Sequence, residues 1–226
     1  MVSDRSRGDL ASWSTSAILR IFLLQQLGVF ALSYWNAQLV GLKNRRTEGL
    51  GSRNNVIILY LLLCSLVFHA ALQHTCCDMW RYATFSCVSG ATAILWTLVQ
   101  ACFEGVSLSA DSISNWSFFT WVSFSVLLVL LVFVFYWHCR HMVDKVEYLK
   151  TSLLCCLIFA IMCIIASKFS LHVHHWFSSL LLCLFLGSSD KVVSRVAQAL
   201  AFGIFTHGGA CFGFAGIFKD VPDCNK

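Results

Sequence analysis

Leu171-His-Val-His-His-Trp176 runs without a break into Phe177-Ser-Ser-Leu-Leu-Leu-Cys-Leu-Phe-Leu-Gly187. Three histidines stand at the mouth of an apolar run. As a helix the run is about 17 residues and roughly 26 Å long at 1.5 Å per residue. That is close to the hydrocarbon thickness of a bilayer. Apolar character of this kind recurs along most of the chain, but nowhere else are ring nitrogens so dense. The stretch therefore reads as the head of a membrane span.

The rest of the chain agrees. Of 226 residues, 58% are hydrophobic and only 12% are charged, whereas a soluble domain carries about 25% charged residues. Mean hydropathy is +0.73. A water-soluble protein of this size could not hide so much apolar surface. We read an all-α polytopic transmembrane helical bundle of about seven spans, over residues 16–218. A polar tail, 1–15, precedes it and a short tail, 219–226, follows. The first apolar run is too long for a cleavable signal peptide, and Asp4 and Asp9 are out of place in a mitochondrial presequence.

The spans are read at about Ser16–Val40, Val56–Gln73, Ala83–Phe103, Trp116–Trp137, Ser152–Ser167, Leu171–Gly187 and Val192–Phe218. Gln25, Gln26, Asn36 and Gln38 in the first are unusual for a lipid-facing helix. Buried amides of this kind hydrogen-bond across to neighbouring helices. Ser86, Ser89, Gly90, Ala91, Thr92 and Ala93 in the third allow close helix approach. The fourth is the most uniformly apolar and should meet the most lipid. Asn115-Trp-Ser117 matches a glycosylation sequon but abuts that span, so no glycan is expected on it.

Seven spans place the termini on opposite sides. We call the N-terminal side B and the other side A. Lys and Arg divide almost evenly between them, so charge does not set the orientation. The net charge of +5 comes from residues scattered over loops with no stripe between aromatics, which argues against nucleic acid as a partner. The partners expected are the lipid bilayer and other membrane subunits. Most of the twelve cysteines lie inside apolar runs, where cysteine behaves as a small hydrophobe. The chain holds no Cys-x-x-Cys pair for a thiolate zinc site.

From about Tyr148 to Phe218 the chain resembles the C-terminal membrane region of fungal and protist LCCL-domain-containing proteins. Those carry Leu-x-x-His-His-aromatic at the head of a leucine-rich span, matched by Leu171-His-Val-His174-His175-Trp176. Their last span ends in a phrase like Phe-x-Asn-Gly-x-Ala-Arg-Trp-Gly-Phe, set against Phe205-Thr-His207-Gly208-Gly-Ala210-Cys211-Phe212-Gly213-Phe214. His207 stands for the asparagine, Cys211 for the arginine, and Gly187-Ser-Ser for a Pro-Gly. The resemblance covers about a third of the chain and does not include the LCCL domain. It implies a membrane location for the last three spans and no established reaction.

The eight histidines fall into two groups in the seven-span reading. His69, His74, His138 and His141 lie towards side B. His172, His174, His175 and His207 lie towards side A. His172 and His175 are spaced for one helix face. With His207 they are the candidate metal ligands, through neutral imidazoles. Interfacial histidines also hydrogen-bond to lipid phosphates, waters and frayed carbonyls, and that plainer reading stands beside the metal one, as does a proton-relay role. His207 is the sharpest case, because an ionisable group inside a membrane helix is costly. With spans starting at Leu171 and ending at Phe218, His175 would sit about 6 Å and His207 about 15–16 Å inside the side-A end. That separation favours a water-bridged polar pocket over one shared metal. Its lining would be His172, His175, Ser179, His207 and Cys211.

Other chemistry fits less well. Histidines on two leaflets resemble a b-type cytochrome's haem ligands, but His74, His138 and His141 sit where haem would be wet. The histidine boxes of di-iron desaturases must meet on one membrane face, and these do not. Nucleophile-elbow, phosphate-loop and zinc-helix motifs are missing. The carboxylates Asp78, Glu104, Asp111, Asp144, Glu147 and Asp190 all fall in loops. Ala199-x3-Gly203 and Gly209-x3-Gly213 are small-x3-small pairs, so Gly203, Gly209 and Gly213 are expected to pack the last span tightly. The function expected is a structural, interaction or small-ligand-binding bundle with no cofactor assumed. A haem or transition-metal redox enzyme is the alternative.

Overall fold

The computed structural model describes residues 15–40, 53–72, 79–102, 115–141, 170–171, 175–187, 191–212 and 218–219, with a few helical positions between 146 and 157. The helices are α1 Thr15–Leu39, α2 Arg53–Val67, α3 Met79–Cys102, α4 Phe118–Arg140, α5 His175–Leu186 and α6 Val192–Phe212. A π-helical turn, Phe68–Leu72, continues α2. Two short strands, β1 Ser170–Leu171 and β2 Phe218–Lys219, pair antiparallel with Leu171 opposite Phe218. Four helices are long and apolar enough to cross a membrane: Thr15–Leu39, Asn55–Leu72, Trp80–Val99 and Phe118–Arg140. Trp176–Leu186 is a shorter apolar helix.

The organising element is α6. It packs most extensively on α3 and α5, then on α1. From Ala201 to Cys211 only Ile204 is not buried. A helix apolar or small on every side belongs in the centre of a bundle. Its neighbours present one stripe each. On α1 the buried positions are Phe22, Gln26, Phe30, Ser33 and Ala37. On α3 they include Phe85, Ser86, Ser89, Gly90, Ala93 and Thr97. Both sets recur every three or four residues, as one helix face requires. Small side chains along α3 bring its backbone against α6, where a Cβ on Gly203 would lie 2.5 Å from the Ser89 carbonyl oxygen.

Aromatic rings fill the centre. Phe22 meets Phe68 and Phe202, Phe30 meets Tyr60, and Tyr60 stacks on Phe205. These pairs also give the helix directions. Phe22–Phe202 and Ser33–His207 make α1 parallel to α6. Gln25–Ser86 and Asn36–Ile94 make α1 parallel to α3. Phe22–Phe68 and Phe30–Tyr60 make α2 antiparallel to α1. The short connection from α5 to α6, with Gln198 reaching Cys183, makes that pair an antiparallel hairpin.

Of the four amides expected to bond across from α1, Asn36 and Gln25 do so, whereas the buried Gln26 amide has no partner among the described residues. Asn36 Nδ2 donates to the Ile94 carbonyl at 2.9 Å. Gln25 Oε1 accepts from the hydroxyls of Ser86 and Tyr82. Gln38 instead points outward. Along α4 only Thr120 and His138 are buried, so this helix presents apolar surface on nearly every side. Ser117 caps α4, its Oγ accepting from Thr120 N at 3.1 Å, so the sequon hydroxyl is occupied in starting a helix.

Two boundaries differ from the sequence reading. The helix expected from Leu171 begins at His175, because Leu171 is extended and held by Phe218. The last helix ends at Phe212 rather than Phe218. Most of the predicted span Ser152–Ser167 lies outside the described residues, though Ser152, Leu153, Cys156 and Leu157 are helical. The polar tail 1–14, the C-terminal tail beyond Lys219, and Gly213 are also outside.

Candidate functional site

Three parallel helices bring polar side chains together around His207. The ring is fully buried. Its Nδ1 lies 3.5 Å from Ser33 Oγ of α1, 3.3 Å from Thr97 Oγ1 of α3 and 3.4 Å from Cys211 Sγ, one turn further along α6. One ring nitrogen has either one proton or one lone pair, so the three neighbours compete for it. Ser33 commits its hydroxyl proton to the Ala93 carbonyl at 3.1 Å. Towards His207 it can therefore only accept. Thr97 and Cys211 can donate.

The depth of this layer follows from helix rise. His207 is five residues from the end of α6, Thr97 five from the end of α3 and Ser33 six from the end of α1. All three lie about 8–9 Å inside the same end of the bundle. This is shallower than the 15–16 Å expected for His207, because α6 stops at Phe212.

The other candidates are placed differently. Cys211 is buried and touches His207. Ser179 is buried on α5, on the face that carries Cys183. Cys183 meets Gln198, and Gln198 and His207 are nine residues apart, about half a turn from each other around α6. Ser179 therefore faces one side of α6 while His207 faces α1 and α3 on the other. His175 opens α5. Measured from the Cys183–Gln198 link, it and His207 lie at depths that agree within roughly 2 Å. Depth is thus shared, but the direction of His207 is not towards α5. His172, His174 and the His175 side chain lie outside the described residues. Among those described, no group of three His, Cys, Asp or Glu residues could hold a metal ion. Gly203 sits at the α3 contact, and Gly209 is buried in α6.

Three further clusters lie outside the pocket expected from the sequence. Tyr60 is fully buried, and its hydroxyl lies 3.1 Å from Thr206 Oγ1 and 3.4 Å from the Gln26 carbonyl oxygen. Thr206 gives its own proton to the Phe202 carbonyl, so the single Tyr60 proton is shared between Thr206 and the Gln26 carbonyl. Gln198 Nε2 donates to the carbonyls of Cys183 at 3.1 Å and Ala71 at 3.4 Å. Ala71 lies in the π-helical turn, and π turns often mark functional positions. His138 is buried at the far end of the bundle. Its Nδ1 is 3.1 Å from Ser194 Oγ of α6, and its ring is 5.0 Å from that of Phe185 of α5. The remaining described histidines are peripheral. His69 is exposed, and His141 stacks on Trp137 with ring centroids 4.2 Å apart.

No family model, curated protein or solved structure matches the chain.

Proposed function

We propose that this is a multi-pass membrane protein whose parallel helices α1, α3 and α6 enclose a histidine-centred polar site near side A. We further propose that it serves as a structural or small-ligand-binding bundle. The observation that carries the reading is His207. It is fully buried, and side chains from three helices converge on it. A polar group so placed is costly unless satisfied, and inside a membrane bundle such groups tend to be functional. Elemental analysis and an absorbance spectrum of the purified protein test the reading. Neither a Soret band nor stoichiometric iron, copper or zinc is expected, since His207 has one sulfur neighbour and two hydroxyls. Either signal would replace the proposal with a metal or haem redox enzyme.

Seven crossings remain our topology. Support comes from direction. α1, α3 and α6 run from side B to side A, and α2 and α5 run back. α4 delivers its terminal His138 to the start of α6 at side B. Ser170 pairs with Lys219, beyond the side-A end of α6. This supports one further crossing between Arg140 and Ser170, for which Ser152–Ser167 is the apolar run available. The resemblance of residues 148–218 to the membrane region of LCCL-domain-containing proteins favours the same count. Tags at Met1 and Lys226 should be protected from protease on opposite sides of sealed vesicles. Both tags on one side would remove a crossing, and α5, at about 18 Å as a helix, would be the first suspect.

A further inference from the structure

The helices α1, α3 and α6 begin at side B, and each carries an arginine near its start: Arg20, Arg81 and Arg195. Arg20 is exposed, as is Arg140 at the end of α4, but Arg81 and Arg195 are half-buried. Helix rotation explains the difference. The rings of Phe85 on α3 and Phe202 on α6 meet with centroids 5.6 Å apart. Arg81 is four residues before Phe85, and Arg195 seven before Phe202. At 3.6 residues per turn, Arg81 lies about 40° from Phe85 around its helix and Arg195 about 20° from Phe202. Thr92, whose side chain meets the Gly203 position of α6, is eleven residues after Arg81, again about 20° away. The two arginines therefore line one seam, between α3 and α6, about one and two turns nearer side B than the phenylalanines.

No described carboxylate offsets these two charges. Among the described residues none is Asp or Glu, and neither helix has an acidic residue in its first turn. Asp78 and Asp190 precede the two helices and lie outside the described residues. Both helix N-termini point to side B, so their dipoles add to the positive potential there. Arg195 Nε is sealed from solvent with no hydrogen-bond partner among the described residues. A buried donor on a charged group is costly when left unmatched, and two cations in one seam repel. An anion between them answers both costs, because guanidinium forks match phosphate oxygens. The surroundings decide which anion. Trp80, beside Arg81, and Val192, one turn before Arg195, are 79% and 64% exposed. A phosphate that carries acyl chains covers such apolar rims, whereas inorganic phosphate leaves them bare.

We propose that the side-B mouth of the α3–α6 seam binds the phosphate of an anionic membrane lipid between Arg81 and Arg195. The proposal rests on the membrane-bundle reading above but not on the His207 site. Arg195 donates to the phosphate oxygens from α6 and Arg81 from α3. The acyl chains lie on the exposed stripe Thr84, Ala91 and Leu95, which continues from Trp80 along the flank of α3 beside the seam.

The test is native mass spectrometry of the purified full chain in micelles holding equal amounts of phosphatidylglycerol and phosphatidylcholine. A retained phosphatidylglycerol is expected, favoured about tenfold over phosphatidylcholine, since each arginine near the headgroups favours an anionic lipid. Arg81→Gln combined with Arg195→Gln should abolish the preference. Arg20→Gln combined with Arg140→Gln, both exposed, should keep it. If the first pair does not fold, Arg195→Gln alone should lower the preference about threefold. Millimolar inorganic phosphate should not displace the lipid. Equal retention of the two lipids by the wild type overturns the proposal, and would mean that a carboxylate such as Asp78 or Asp190 already neutralises the seam. A preference that survives in the folded Arg81 and Arg195 variants, or that is lost equally in the exposed pair, overturns it too, as does displacement by inorganic phosphate. Failure of the membrane reading would appear separately, as a chain that stays monodisperse without detergent, and failure of the His207 site as unchanged stability of His207→Leu.

Discussion

Gly203→Ala will destabilise the bundle, although alanine is the better helix former. A Cβ at 203 would lie 2.5 Å from the Ser89 carbonyl oxygen and 2.6 Å from Thr92 Cβ. The first is backbone and cannot rotate away, so α3 and α6 must move apart along their whole contact. Overpacking of this kind costs about 1–3 kcal/mol, which outweighs the gain of about 1 kcal/mol from replacing glycine in a helix. Gly203→Leu should prevent assembly. Gly28→Ala is the control, since nothing lies within 4 Å of its added methyl, and Gly90→Ala meets only Val29 at an ordinary 3.6 Å. Both should melt at or above the wild-type temperature. The measurement is thermal unfolding in detergent. A Gly203→Ala protein that melts with the Gly28 variant would mean that α3 and α6 are not in backbone contact there.

His207→Leu ranks second in expected effect. Leucine fills much of the ring's space but leaves Thr97 without the imidazole beside it, and Ser33 keeps only its bond to Ala93. A buried group deprived of its partner costs about 1–3 kcal/mol. Membrane double-mutant cycles reach about 1.7 kcal/mol at most, so a loss of about 1–2 kcal/mol is expected. His207→Gln should recover part of it, because the amide can donate and accept at a similar reach. Thr97→Val in the His207→Leu background should cost less than it does alone, since the contact is already gone. Additive losses, or wild-type melting of His207→Leu, would show that the layer does not hold the three helices together.

Much of the architecture was legible before any fold was known. Length, hydropathy and scarcity of charge are local properties, and a bilayer reads them locally, span by span. That is why α1 to α4 appear where the apolar runs are, why α4 is apolar and exposed on nearly every side, and why Gln25 and Asn36 find partners on α3. The small residues of α3 and the glycine at 203 also announced a close contact, though not with which helix.

The site needed the tertiary structure. Leu171 has the composition of a helix start, yet its pairing with Phe218, forty-seven positions away, moves that start to His175. The azimuth of His207 depends on which neighbours surround α6. Sequence spacing alone drew it towards His172 and His175, but α1 and α3 occupy the side it faces. Tyr60 and Gln198 stood out even less, since a lone tyrosine or glutamine in an apolar run carries no period and no motif. Hydropathy along a chain selects which segments leave water. Which side chains then meet is set by helix direction, depth and rotation, and these exist only once the helices have packed.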